Sequence, residues 1–297
     1  MERVFFHIDV NSAFLSWSAL ERLENGGTDD LRAIPSVVGG DEESRHGIVL
    51  AKSSSAKSFG IVTGEPLAQA RRKCPGLVIV SPNFENYKRR SRQFIDYLNS
   101  IAGEVEQASI DECYVNYHSI DPRFRLKDPV EMADSIRTYI KEHFGFTVNV
   151  GISDRKVLAK MASDFRKPDR THTLWHREIE QKMWPLPVSD LFMCGKSAVE
   201  TLRKLGILTI GDLAGADYNV LLSHMKSHGK LLWEFANGID ESGIQLEAPE
   251  AKGIGNSSTF SQDLLTLDEI SHELLKLCDR VTARAREGHF LIAGVTV

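Results

Sequence analysis

Residues 4–10 (VFFHIDV) form a short, mostly apolar run, which reads as a strand buried near the centre of a sheet, and an amphipathic helix follows it. Glycine and proline punctuation continues to about Pro82. It marks a small lobe with a strand at 47–51 and a helix starting near Pro66. From 87 to 102 the apolar positions Phe94, Ile95, Leu98 and Ile101 recur at helical spacing. Residues 105–108 and 113–117 then read as the two strands of a hairpin, turning through Ser109-Ile110-Asp111-Glu112. Another helix, 129–144, leads into a strand at 147–152. The order strand, helix, strand, strand, helix, strand is the split βαβ or ferredoxin-like arrangement, here with the small lobe inserted after the first strand.

The pattern changes after this. Residues 183–240 read as all helix. Cys194-Gly195-Lys196-Ser197-Ala198 opens one helix that ends at Gly206, and Ile210-Gly211-Asp212-Leu213 opens another. Two short helices around a glycine-containing turn, with backbone N–H groups free at the helix start, can grip a phosphate without reading a base. A plain helical hairpin fits the spacing equally well. Residues 240–252 are polar and aperiodic, as in a linker. Gly253-Ile254-Gly255 lacks the third glycine and helix start of a nucleotide loop. The remainder reads as a strand, a helix over 266–286 and a strand from near Leu291, inside which the sequence stops, so this unit reads as truncated. No internal repeat or low-complexity tract is visible.

A length of 297 residues exceeds one typical domain and suggests two to four folding units. With 42% hydrophobic and 26% charged residues the chain falls among ordinary globular proteins that bury a core. No apolar run approaches the ~20 residues of a membrane helix, and the amino end carries no basic leader. The expected location is cytoplasmic, without membrane contact. Cys74, Cys113, Cys194 and Cys278 are widely separated and form no C-x-x-C pair, so we expect four reduced, structural thiols rather than a zinc site or disulfides. A net charge of −5 argues mildly against a nucleic-acid partner. Basic residues nevertheless cluster at Lys88, Arg89, Arg90 and Arg92 and again over 155–170, although such runs are by themselves ordinarily solvated helix faces.

In a ferredoxin-like sheet the first strand lies beside the central hairpin, so Asp9 can approach Asp111 and Glu112. Three converging carboxylates are unfavourable without a cation, and hard oxygen donors suit Mg²⁺ or Mn²⁺. Two such ions would activate a hydroxyl and neutralise a triphosphate, whereas separate acids at strand ends are also common surface features. His7 shares the strand face of Asp9 and reads as a core histidine rather than a ligand.

Three strings decide between these readings: DVNSAF at 9–14, SIDECYV at 109–115 and VGISDRKVLAKMASDFRKP at 150–168. They resemble signatures of the Y-family DNA polymerases, in the right order and with matching spacing along the whole chain. The resemblance implies an α+β fold shaped as a right hand. Its ferredoxin-like palm would comprise 1–12 and 83–172, small fingers 13–82, a helix-hairpin-helix thumb 173–239, a linker 240–251 and a partial α/β little finger 252–297. It also implies two Mg²⁺ ions, replaceable by Mn²⁺, held by Asp9, Asp111, Glu112 and the Val10 carbonyl, with Glu112 at the catalytic glutamate position. Phe14 falls at the steric gate that excludes a ribose 2′-hydroxyl. The triphosphate would meet the backbone of Asn11, Ser12, Ala13 and Phe14 together with Lys52, Lys57 and Lys167, and the thumb residues Gly195, Lys196 and Ser197 would touch DNA.

The chain departs from the commoner pattern in having Lys57 for an arginine, Ser54 for a tyrosine and Asn11 for a second acidic residue. The departures at Ser54 and Asn11, together with Lys52, bring it nearer the DNA polymerase V catalytic subunit than DNA polymerase IV within the family. The implied partners are primer-template DNA and deoxynucleoside triphosphates, the implied state is a monomer, and the implied activity is low-fidelity translesion synthesis. The family's usual sliding-clamp peptide is not recognisable. VSDLF at 188–192 has a faint likeness to it but sits in the thumb, where it reads as core. Two rivals remain on residues alone: a non-catalytic repair accessory protein on the same scaffold, expected to lack the carboxylates, and a nucleotidyl cyclase, which would have no thumb.

Overall fold

The computed structural model describes residues 3–40, 47–247, 252–260 and 262–297. In chain order the elements begin with β1 (Phe5–Val10), α1 (Ala13–Glu24), β2 (Ser36–Gly39), β3 (Val49–Lys52), α2 (Ser54–Ser58), α3 (Leu67–Lys73) and β4 (Val78–Val80). Then come α4 (Phe84–Ile101), β5 (Val105–Gln107), β6 (Glu112–Asn116), α5 (Pro129–Phe144), β7 (Val148–Ser153), α6 (Lys156–Asp164) and β8 (Thr171–Thr173). Helices α7 (Ile179–Lys182), α8 (Lys196–Lys204), α9 (Ile210–Ala214), α10 (Tyr218–Ala236) and α11 (Leu267–Glu287) complete the order. The chain divides into two compact bodies, residues 1–27 with 83–247 and residues 28–82 with 248–297.

In the first body the sheet runs β5-β6-β1-β7-β8. Its first four strands are antiparallel in the ferredoxin-like order, and β8 adds a parallel fifth at the edge of β7. The short polar string Thr171-His172-Thr173 gave no strand signal in the sequence. Strand β1 occupies the centre, and its alternation divides the sheet into two faces. Phe6, Ile8 and Val10 point into an apolar core with Cys113, Val115, Val148, Val150 and Ile152, covered by Phe94 and Leu98 of α4 and Ile136 and Ile140 of α5. Helix α5 starts and stops where its sequence says. The Asp128 carboxylate accepts the Val130 N–H, Pro129 takes the first turn, and Gly145 ends the helix at φ 74°.

The other face is covered by α6, which the hydrophobic pattern had not marked. Its closeness rests on Gly151, where a Cβ would lie 2.0 Å from the Ala159 carbonyl oxygen and 2.4 Å from the Ser163 nitrogen. Every residue of α6 except Asp164 is buried, including Lys156 and Lys160.

A second apolar cluster joins α6 to α7–α10 through Leu158, Met183, Leu202, Ile210, Leu221 and Leu232. This segment is helical as expected, with a break at Lys226, whose φ is 55°. Val188 and Leu191 of the VSDLF string are buried in this cluster, in line with the core reading.

In the second body, strands β3-β2-β4 form a small sheet packed by Leu67 and Ala70 of α3. The sequence pattern showed only one of its three strands. Helix α11 begins at a capping box between Thr266 and Glu269. The strands expected on either side of α11 do not form among the described residues. An extended segment becomes a strand only when a neighbour takes up its N–H and C=O groups, and Leu291, Val295 and Val297 are almost wholly exposed. Cys74, Cys113 and Cys194 are buried free thiols, whereas Cys278 is exposed, contrary to the expectation that all four are structural. Among the described residues no helix is long and apolar enough to cross a membrane.

Candidate active site on the α6 face

The strand register itself assembles the centre. Asp9 stands directly opposite Glu112 of β6 on one side and Asn149 of β7 on the other, and the Val10 N–H bonds the Asp111 carbonyl at 3.0 Å. Glu112 thus opens β6 rather than lying in the turn. Residues opposite one another in a sheet share a face, so Asp9 and Glu112 meet by construction.

Burial and a side-chain bond to Glu112 push the Asp9 carboxyl up to about 6, against the pull of the Lys167 and Lys160 charges. Lys160 donates to Glu112 at 2.5 Å and lies 3.7 Å from Asp9 and 3.5 Å from Asp164. Lys167 reaches Asp9 at 2.8 Å and Asp164 at 2.9 Å. Burial works against both ammonium groups, but these carboxylates outweigh it and raise both lysines.

The third expected carboxylate does not converge fully. Asp111 accepts the Ser109 hydroxyl at 2.8 Å, and among the described residues no three acidic, histidine or cysteine side chains stand close enough to hold a metal. The Ser109 bond turns that carboxylate along its own loop. The donor set nonetheless suits a hard cation. The buried Asp9 and the half-buried Glu112 share a bond, Asp9 resists ionising, and two lysines already bring positive charge to the place.

His7 is fully buried and lies on this face as a core histidine. Its Nδ1 faces the Ser163 hydroxyl at 2.8 Å, and burial followed by the Lys160, Lys167 and Lys156 charges holds its pKa well below the usual value. Lys156 donates to Glu106 at 2.6 and 2.8 Å and sits over the Tyr114 ring. The basic run over 155–170 is therefore partly a buried, carboxylate-paired set rather than a solvated face, and Arg90 of the other cluster is likewise buried against Glu24. Lys156 and Lys160 were missed by sequence reasoning. The available signal was their i, i+4 spacing just after the glycine of β7.

Helix α1 starts at Ser12, whose φ of 46° places it in the left-handed region, and no side chain caps the first turn. The Asn11 N–H is bonded to the Thr147 carbonyl at 2.9 Å, which removes it from the expected phosphate cradle and leaves the amides of Ser12, Ala13 and Phe14. The half-buried Phe14 ring stacks on Tyr87 at 4.6 Å and packs against the core on the opposite face of the sheet. Lys52 and Lys57 lie in the second body. Lys52 donates to Thr63 at 3.1 Å, and its pKa is lowered by burial and then by the Lys57 charge. Gly195 precedes α8, and Lys196 and Ser197 form its exposed first turn beside a cleft of about 470 Å³ that His224 and His228 also line.

The sequence pattern of the impB/mucB/samB family matches residues 8–164, and that of the family's C-terminal domain matches 251–297. DNA polymerase IV of Clostridium acetobutylicum is 48% identical over 297 residues, covering all of this chain and 74% of that protein. The chain belongs to this family, the Y-family DNA polymerases. DNA polymerase IV of Acetivibrio thermocellus is 36% identical over 291 residues, 96% of this chain and 70% of its own length. A solved Y-family DNA polymerase chimera superposes with a TM-score of 0.77 at 22% identity, over 94% of this chain and 80% of the other, which speaks for the fold. This Y-family member is a DNA-directed DNA polymerase of the translesion type. These two Y-family relatives carry the polymerase IV name, so Asn11, Ser54 and Lys52 do not set the chain apart from that branch as expected.

Proposed function

We propose that the α6 face is the polymerising centre, where a primer 3′-hydroxyl attacks the α-phosphorus of a deoxynucleoside triphosphate and pyrophosphate leaves. Asp9, Asp111, Glu112 and the Val10 carbonyl would hold Mg²⁺, one ion or two, with Asp111 turning away from Ser109 to join. Mn²⁺ would serve at the same donors. When bound, such an ion supplies the Lewis acidity that activates the hydroxyl and neutralises the triphosphate.

The remaining work belongs to the chain. The uncapped amides of Ser12, Ala13 and Phe14 receive the phosphates at the positive end of α1. Lys167 exchanges its bond to Asp9 for a phosphate oxygen, and Lys52 and Lys57 add charge from the small lobe as flexible point donors. The Phe14 ring, backed by Tyr87, fills the space a 2′-hydroxyl would need. Gly195, Lys196 and Ser197 take a DNA backbone phosphate at the start of α8, which positions the duplex without reading bases. Residues 1–12 and 83–172 act as palm, 13–82 as fingers, 173–239 as thumb and 252–297 as part of a little finger. Small fingers contact the nascent pair at few points, so fidelity is low.

The observation that carries the reading is the register pairing of Asp9 with Glu112 beside the buried Lys160, with the more exposed Lys167 bonded to Asp9. The test is primer extension on a short template with Mg²⁺ and four deoxynucleotides. The intact chain extends, and Asp111→Ala falls by about a thousandfold or more with an unchanged melt. A chain that binds primer-template and adds nothing with either metal would favour the accessory-protein alternative.

A further inference from the structure

We infer that Asn11 and Asn149 are positioning residues that fix the backbone on both sides of Lys167, an inference that rests on the triphosphate role proposed for that lysine. Both side chains are buried, Asn149 completely. The Asn149 amide nitrogen donates to the carbonyl oxygens of Ser163 at 3.0 Å and Arg166 at 2.8 Å. Two carbonyl partners force the amide orientation, since only its nitrogen can donate. The Asn149 carbonyl oxygen then receives the Arg170 N–H and the Asn11 amide, both at 3.2 Å. The Asn11 oxygen in turn receives the Asp169 N–H and the Thr147 hydroxyl, both at 2.9 Å.

Arg166, Asp169 and Arg170 are thus all held by two side chains that lie at the end of β1 and in β7. Asn149 faces Asp9 in the register, so the lysine and the carboxylate it serves share one rigid reference. Asp169 has φ 55°, in the left-handed region that few residues other than glycine, asparagine and aspartate adopt, and its carboxylate is gripped from α5 by Arg137 at 2.8 Å and Lys141 at 2.9 Å. An aspartate at position 11 could accept the same two bonds but could not donate to Asn149. The asparagine that departs from the family pattern is therefore the donor that links the two side chains. A charged side chain placed by a rigid frame loses less freedom when it binds, and loosening the frame weakens binding without altering the reacting groups.

The test is a double-mutant cycle with the full chain on primer-template, reading KM and kcat for a single deoxynucleotide in wild type, Lys167→Ala, Asn149→Ala and the double variant. Asn149→Ala should raise KM about tenfold with kcat within about twofold, and should add nothing once Lys167 is alanine. If Asn149→Ala shows no cooperative melt, Arg137→Met, which loosens the same segment from α5, replaces it in the cycle with the same expectation. An unchanged KM in Asn149→Ala, or an equal rise in both backgrounds, overturns the positioning role alone. An unchanged KM in Lys167→Ala overturns the triphosphate reading of that lysine, and the positioning role with it.

Discussion

The two faces of the central sheet are built from the same strands and do opposite things. On the α4 and α5 side, Phe6, Ile8 and Val10 meet only carbon-rich neighbours in a dry core. On the α6 side, one residue along each time, His7 and Asp9 meet Ser163, Lys160, Glu112 and Lys167. The period of two in β1 places stability and chemistry within one residue of each other. A register slip of one position would exchange them, which is why Val148, Val150 and Ile152 of β7 and Cys113 and Val115 of β6, paired with the apolar residues of β1, also protect the site.

The comparison can be broken most forcefully at Gly151, where the polar face depends on backbone contact. Gly151→Ala should drive α6 away from the sheet, costing more than about 3 kcal/mol in urea unfolding and abolishing extension together. A near-wild-type melt would mean that α6 is not seated as described. Ile8→Ala, on the dry face, should cost about 3 kcal/mol of stability while extension per folded molecule stays within about twofold at low temperature. Selective loss of activity there would blur the division. Phe14 sharpens it from the other side, because it packs with the core yet is assigned a role in sugar selection. Phe14→Ala should lower discrimination against ribonucleotides by on the order of 100-fold, with a smaller change in stability. The smallest effect is electrostatic. With the Asp9 pKa raised to about 6, protonated Asp9 favours the fold, and that contribution fades as pH rises through 6. Wild type without divalent metal should therefore lose up to about 2 kcal/mol relative to Asp9→Asn between about pH 4 and 7, read from paired unfolding curves.

Much of the frame was legible in the sequence because local rules and global packing agree there. An apolar run gave β1, two short strands around residues 109–112 gave the hairpin, and the pattern over 129–144 gave α5, whose ends the Asp128 cap and Gly145 then fix. Helix α6 was not legible, because lysines at 156 and 160 read as surface and their partners, Glu106 and Glu112, lie about fifty residues away. Strands β2 and β4 are short runs whose pairing depends on neighbours. The strands expected around α11 failed for the converse reason: apolar residues that alternate correctly found no described partner. At the site, motif resemblance named Asp9, Glu112 and Lys167; the register brings the two carboxylates together, and Lys167 reaches Asp9 from the loop after α6. The resemblance could not foresee that the Asn11 backbone N–H bonds the Thr147 carbonyl, or that Asp111 turns to Ser109.

The most direct measurement of the central claim is the extension rate of Asp9→Asn at about pH 7.5, taken alongside its melting midpoint in EDTA. Removing a buried carboxylate that resists ionising should leave the midpoint unchanged or raise it, while extension with Mg²⁺ falls by about a thousandfold or more. Extension that survives within about tenfold, or a rate lost only in proportion to lost folding, would contradict the assignment of chemistry to the α6 face.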